Sequence, residues 1–121
     1  MTPVTSATAA RLVTELFAII DGQRWDELAT VLTDDCVVER PGSPALTGLE
    51  RISRFYRSER PIAAGRHEPE QVIGESDVAA SWGRFTGETT QGQRVEERFA
   101  ETYQLRDGRI ARRTTYLHRR A

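Results

Sequence analysis

The chain contains no lysine: all 17 of its basic side chains are arginine. Schiff-base chemistry and the phosphate-cradling lysine of a P-loop are therefore excluded. A codon bias toward GC can produce such a set without selection on function, so the count alone assigns nothing. A single cysteine, Cys36, cannot close an internal disulfide, and nothing points to an oxidising compartment. No charge of one sign dominates either. With 17 basic and 18 acidic side chains the net charge is −1, which argues against a general nucleic-acid binder. The apolar run Leu16 to Ile20 is too short to cross a bilayer, and the N-terminus lacks the basic start and apolar stretch of a signal peptide. A cytoplasmic protein with no membrane or nucleic-acid partner is the expectation.

What is present describes one globular domain over residues 1–121, with 38 % hydrophobic and 29 % charged residues. Leu12, Val13, Leu16, Phe17 and Ile20 recur along one face of a helix that Asp21-Gly22 stops, the glycine suiting a left-handed cap. A second short helix has Trp25, Leu28, Val31 and Leu32 on its buried side. Cys36 to Arg40 reads as a strand ended by Pro41-Gly42-Ser43-Pro44. Thr47 and Glu50 have capping-box spacing for a third helix, whose inner face is Leu49, Ile52, Phe55 and Tyr56 and which Pro61 ends. Four strands follow: His67 to Ile73, Val78 to Thr89, Val95 to Leu105 and Ile110 to His118. Turns at 74–77, 90–93 and 106–109 separate them, the last a strong Asp-Gly hairpin signal. Helices must cover one face of this sheet, giving an α+β domain.

Particular residues in this order carry a resemblance. They are Asp21-Gly22, Trp25 and Leu32 to Asp35; then Pro41-Gly42, Thr47-Gly48, Ile52 and Phe55-Tyr56; then Arg98 to Ile110. Over about residues 9 to 118 the chain resembles the nuclear transport factor 2-like superfamily, particularly its SnoaL-like polyketide cyclase and ketosteroid isomerase branches. The resemblance implies a cone-shaped fold, with three N-terminal helices packed on a curved, mainly antiparallel sheet around an apolar pocket. It also implies homodimers through the outer sheet face, hydrophobic small-molecule ligands and, for most members, no cofactor. The fold hosts enzymes, binding modules and assembly domains alike.

Glu101 is the strongest candidate for chemistry. Alternation puts Val95, Glu97, Phe99, Glu101, Tyr103 and Leu105 on one mostly apolar face. A carboxylate between Phe99 and Tyr103 is desolvated and becomes usable in acid–base work, unless it is a structural Glu satisfied by an Arg. The resemblance places Arg40 where the steroid isomerases carry their general-base Asp, and Leu16 where they carry an oxyanion-binding Tyr. Steroid isomerase activity is therefore not expected. Arg40 either projects inward to meet Glu101 or reaches solvent past Pro41. His118 lies where many relatives carry a functional Asp, and His67 opens the first long strand. Trp82, Tyr103, Tyr56 and Phe99 are candidate pocket walls, with His67 among the substrate contacts; Trp82 could instead be core or dimer interface.

No group of His, Cys, Asp and Glu has metal-ligand spacing, so no metal is expected, and the resemblance implies that no cofactor is needed. The arginine-rich end, residues 106–121, reads as strand arginines paired with Glu96, Glu88 or a dimer partner rather than a phosphate-binding patch. The facing of the last strand is open, because one bulged residue would exchange Arg112 and Thr114 with Arg113 and Thr115. The reading that follows is a SnoaL-like enzyme of cyclisation, isomerisation or dehydration on a hydrophobic intermediate, as in polyketide biosynthesis. Glu101, Arg40 and His118 would be its catalytic residues. The alternative is a non-catalytic module that binds an apolar ligand or dimerises.

Overall fold

A computed structural model describes residues 5–118. Helix α1 (Ser6–Asp21) is capped by Thr5, whose hydroxyl accepts the Thr8 N–H, and it buries Val13, Leu16, Phe17, Ile19 and Ile20. Trp25–Thr30 is a 3-10 turn rather than a second α-helix. Strand β1 (Leu32–Glu39) follows, then a two-residue strand β2 (Leu46–Thr47). Helix α2 (Leu49–Arg54) continues directly into a π turn, Phe55–Glu59. The long strands are β3 (Ile62–Glu75), β4 (Val78–Thr89), β5 (Arg94–Arg106) and β6 (Arg109–His118). The expected three N-terminal helices are thus one full helix, one 3-10 turn and one short helix that widens at its end.

The six strands form a single sheet in the order β2-β1-β6-β5-β4-β3, antiparallel throughout except where β1 runs parallel to β6. Its inner face meets α1 and the α2 segment, and the core lies between the two layers. Alternation along β5 is regular, with Phe99, Glu101, Tyr103 and Leu105 buried. The turn Asp107-Gly108 has φ of 53° and 75°, as a primed hairpin turn requires.

Three local expectations are corrected. The left-handed residue after α1 is Gln23, at φ 55°, while Gly22 stays helical at φ −83°. The N-cap of α2 is Gly48 at φ 92°, and no capping box forms, because Thr47 is drawn into β2 against Val37. Strand β3 begins at Ile62, so His67 lies well inside it rather than at its start.

Two single-residue bulges set which side chains reach the core. On β6 the register runs from Gln104↔Arg112 to Leu105↔Ile110, leaving Ala111 unpaired. Ile110 and Arg113 therefore both face inward, and Arg112 faces out. On β3 the register shifts between Pro69 and Gln71, beside Gly83 of β4. β3 is the sheet edge, which is where a strand tolerates proline. Gly83 is needed there, because a Cβ would lie 2.2 Å from the Glu68 carbonyl oxygen and 2.7 Å from the Pro69 Cα. Gly83→Ala is expected to destabilise the fold by about 2 kcal/mol or more in urea denaturation. A loss within the error of the measurement would show that the edge strand can simply move aside.

Candidate functional site

Glu101 is 2 % exposed and tied on every side. Arg113 donates from Nε to Oε1 at 3.0 Å and from Nη2 to Oε2 at 2.7 Å. Thr115 donates to Oε2 at 2.6 Å and Tyr103 to Oε1 at 2.7 Å. Because Tyr103 spends its proton on Glu101, the Ser81 hydroxyl, 2.7 Å away, is the donor to the Tyr103 oxygen. Burial pushes the Glu101 pKa up, but the Arg113 charge and the bonds from Arg113, Thr115 and Tyr103 outweigh it and hold the carboxyl below its ordinary range. Burial together with the Glu101 charge raises the Tyr103 pKa far above its usual value.

The expected contact between Arg40 and Glu101 is not made; Arg113 occupies that role through the β6 bulge. Arg113 carries the network further, donating from Nη1 to the Tyr56 hydroxyl at 2.9 Å. Among the described residues no acceptor takes the Tyr56 proton. Trp25 stacks behind this ring, with centroids 5.1 Å apart.

A second polar group enters from the edge strand. His67 Nδ1 lies 2.6 Å from Asp21 Oδ1, and its backbone N–H donates to Asp21 Oδ2 at 2.8 Å. With Nδ1–H donating to the carboxylate, Nε2 carries the lone pair. The ring is stacked on Phe17 at 4.4 Å and 6°, and Phe85 lies 4.7 Å away. Burial lowers the His67 pKa from 6.5, assisted by the Arg113 charge and only partly opposed by Asp21. The imidazole is neutral at pH 7.

These groups meet at one cavity of about 310 Å³, within the size range of small-ligand sites. Its walls include Tyr56, His67, Glu101 and Arg113, the rings of Phe55, Phe85 and Phe99, and the guanidinium groups of Arg40 and Arg60. No hydrogen-bond partner reaches His67 Nε2 among the described residues, so that nitrogen is left to the cavity. The π turn that follows α2 sets Phe55 and Tyr56 on the wall; π turns of this kind recur at functional sites.

A model of the SnoaL-like domain matches residues 13–113. The chain belongs to the SnoaL-like family. The NTF2-like fold of that family is also seen in solved structures. An LEH-like epoxide hydrolase of M. tuberculosis is 18 % identical with a TM-score of 0.81, over 93 % of this chain and 84 % of the other. A protein assigned as a SnoaL-like polyketide cyclase from Jannaschia is 19 % identical with a TM-score of 0.80, over 97 % and 89 %. One assigned as a ketosteroid isomerase from Kribbella flavida is 23 % identical with a TM-score of 0.78, over 97 % and 82 %. At these identities the likeness is one of fold. No curated protein matches this SnoaL-like chain in sequence.

Several expected site residues lie elsewhere in the SnoaL-like domain. Trp82 is 40 % exposed on the outer sheet face, because the inner parity of β4 is Ala79, Ser81, Gly83 and Phe85. His118 is exposed on that outer face too, beside Trp82 and Tyr116. Tyr103 and Phe99 face inward, but only Phe99 reaches the cavity wall. The described arginines of the arginine-rich end that form ion pairs do so with residues other than Glu96 and Glu88. Arg106 bonds Asp35, Arg112 bonds Glu39 and Arg113 bonds Glu101; Arg119 and Arg120 lie outside the described residues. Cys36 is buried, and burial pushes its thiol up to about 11, so it offers no nucleophile. Among the described residues no group of His, Cys, Asp or Glu is placed to hold a metal, and no helix is long and apolar enough to cross a membrane.

Asp21, Arg60 and Arg113 were not among the expected site residues. A signal for Asp21 existed: a carboxylate in the last turn of a helix opposes the helix dipole and needs another reason to be there.

Arg113→Met is expected to cost about 3–5 kcal/mol by leaving Glu101 charged and buried, and the double variant with Glu101→Leu to cost less than that single one. Urea unfolding of the three proteins checks this; a double variant worse than the single would show that the pair is not the tie described. The stabilisation from Glu101 is present above its unfolded pKa near 4.5 and is lost as the pH falls through the lower folded value.

Proposed function

We propose that this SnoaL-like domain is an enzyme that moves a proton on a hydrophobic small molecule, in a cyclisation, isomerisation or dehydration. The observation that carries the reading is His67, with Nδ1 clamped by Asp21 and Nε2 open to the cavity. In this reading a proton next to a substrate carbonyl passes to Nε2. Negative charge then builds on the carbonyl oxygen, where the Tyr56 hydroxyl, polarised by Arg113, donates a hydrogen bond. The imidazolium returns the proton to another carbon or to a departing hydroxyl. Alternatively, the carbanion attacks a second carbonyl and the proton goes to the new alkoxide. Glu101 acts through Arg113 as a positioning residue rather than as the acid or base itself, because its four hydrogen bonds and ion pair hold it ionised. Arg40 stays in the site as a wall cation, and no role is given to His118.

Exposed apolar side chains on the outer sheet face support a homodimer. Ile73, Val78, Trp82 and Tyr116 are 44, 49, 40 and 56 % exposed, and grooves of about 380 and 550 Å³ lie between them. So much apolar surface on one side of a sheet marks an interaction face.

Two measurements test these readings. Aryl ketones bearing an α C–H, incubated in D2O, should exchange faster with the wild-type protein. His67→Gln should lower that rate about 100-fold or more, and Asp21→Asn should lower it through the wrong tautomer. The neutral base requires kcat/KM to fall as the pH drops through a value below 6.5. Full activity in His67→Gln with loss in Glu101→Gln would transfer the role to Glu101, and binding without exchange would favour a ligand-holding module. In sedimentation equilibrium the wild type should have twice the monomer mass and Trp82→Glu/Tyr116→Glu the monomer mass. A monomeric wild type at high micromolar concentration would remove the dimer.

A further inference from the structure

Arg40 and Arg60 stand apart from the other arginines. Among the described arginines that are partly or fully buried, Arg51, Arg109, Arg112 and Arg113 each donate a hydrogen bond to a protein oxygen. No such bond to the described residues is formed by Arg40 or Arg60, and Arg40 Nε is fully buried with no partner among them. Both are on the wall of the cavity that holds His67, and burial lowers both pKa values. Withdrawing a cation from water without a partner is costly, so an unpaired pair on one wall calls for an explanation.

The contacts they do make supply one. The Arg40 guanidinium lies 3.9 Å above the Phe55 ring; that of Arg60 lies 5.5 Å from the Tyr56 ring and 5.8 Å from the Phe85 ring. A guanidinium held over aromatic rings is attracted by their faces, and the N–H donors around its edge take no part in that attraction. Those edges match the two oxygens of a carboxylate, which accept paired in-plane hydrogen bonds. The fixed charges of the wall point the same way. Arg113 is neutralised by Glu101, and Glu97 is the other carboxylate that lines the cavity, while Asp21 and Glu59 act on Arg60 and Arg40 from outside it. Among the groups that line the cavity itself, one more positive than negative charge stands beside the aromatic rings.

We propose that the cavity binds an organic anion, an aromatic carboxylate whose ring lies against Phe55 and Phe85 and whose charge is met by Arg40 and Arg60. The inference deepens the reading of this cavity as a substrate site, and it names the ligand class: an acid, not a neutral apolar molecule. Its test measures binding rather than turnover, so it stands or falls separately from the role of His67.

Calorimetric titration of the full chain with 2-naphthoate, 2-naphthamide and inorganic phosphate tests it. Naphthoate should bind about tenfold or more tighter than the isosteric amide, as expected for charged hydrogen bonds. Arg40→Gln and Arg60→Gln should each bring naphthoate down toward the amide. Melting of the ligand-free proteins gives the second readout. Removing an unpaired, half-buried cation should leave Tm unchanged or raise it, whereas arginines holding the fold together would lower it. Equal affinity for acid and amide, no binding of either, affinity unchanged in both arginine variants, or phosphate displacing naphthoate at equal concentration would each overturn the proposal.

Discussion

The ion pair between Glu101 and Arg113 organises everything around it, because neither charge could be buried alone. Two charges taken from water are costly, and the cost is met only when the remaining lone pairs and protons are also satisfied. Thr115 and Tyr103 complete Glu101, Ser81 completes Tyr103, and Tyr56 accepts the remaining Arg113 bond. The network thus ties β4, β5 and β6 to the helical layer. It also leaves one proton over, on Tyr56, at the point where the polar interior opens into the cavity.

The other end of that cavity is held by a different constraint. β3 is the edge strand, so half of its backbone N–H groups have no neighbour in the sheet. Asp21 takes the His67 N–H with one oxygen and its Nδ1 with the other. The same carboxylate therefore closes an edge, anchors α1 to it and fixes an imidazole tautomer. A helix that ends in an acid gives up a little dipole energy, of order 0.3–1 kcal/mol. The two bonds to β3 offset that, and the site gains a neutral ring nitrogen aimed at the pocket.

How far this was legible in the sequence depends on whether side-chain facing follows from regular alternation. β5 is unbroken, and its inner set, with Glu101 among Phe99 and Tyr103, could be read directly. Asp107-Gly108 declared its turn in the same way. On β6 the single bulged residue Ala111 decides whether Arg112 or Arg113 is buried, and no residue type there signals it. Trp82 was a candidate pocket wall, but β4 turns Ala79, Ser81 and Phe85 inward, so Trp82 looks out. His67 was visible as a polar residue in a strand, yet its partner is 46 residues away on a helix, a distance that only the packed fold closes. The dyad was therefore beyond sequence reach even though both members were in plain view.

The absence of lysine acquires a physical sense at these positions. Arg113 uses Nε and Nη2 on Glu101 and Nη1 on Tyr56, three bonds in fixed directions from one planar group. Arg40 and Arg60 hold their charge over aromatic rings and give no hydrogen bond to the described residues. An ammonium is a compact, strongly hydrated charge; it could neither fork across a carboxylate nor lie flat on a ring without giving up more hydration. Arginine also stays charged when half-buried, whereas a lysine in the same place would tend to lose its proton. A cavity that must carry fixed positive charge among aromatic walls is therefore one that arginine can build and lysine cannot. That argument covers three of the 17 arginines, and the composition of the rest needs no such cause.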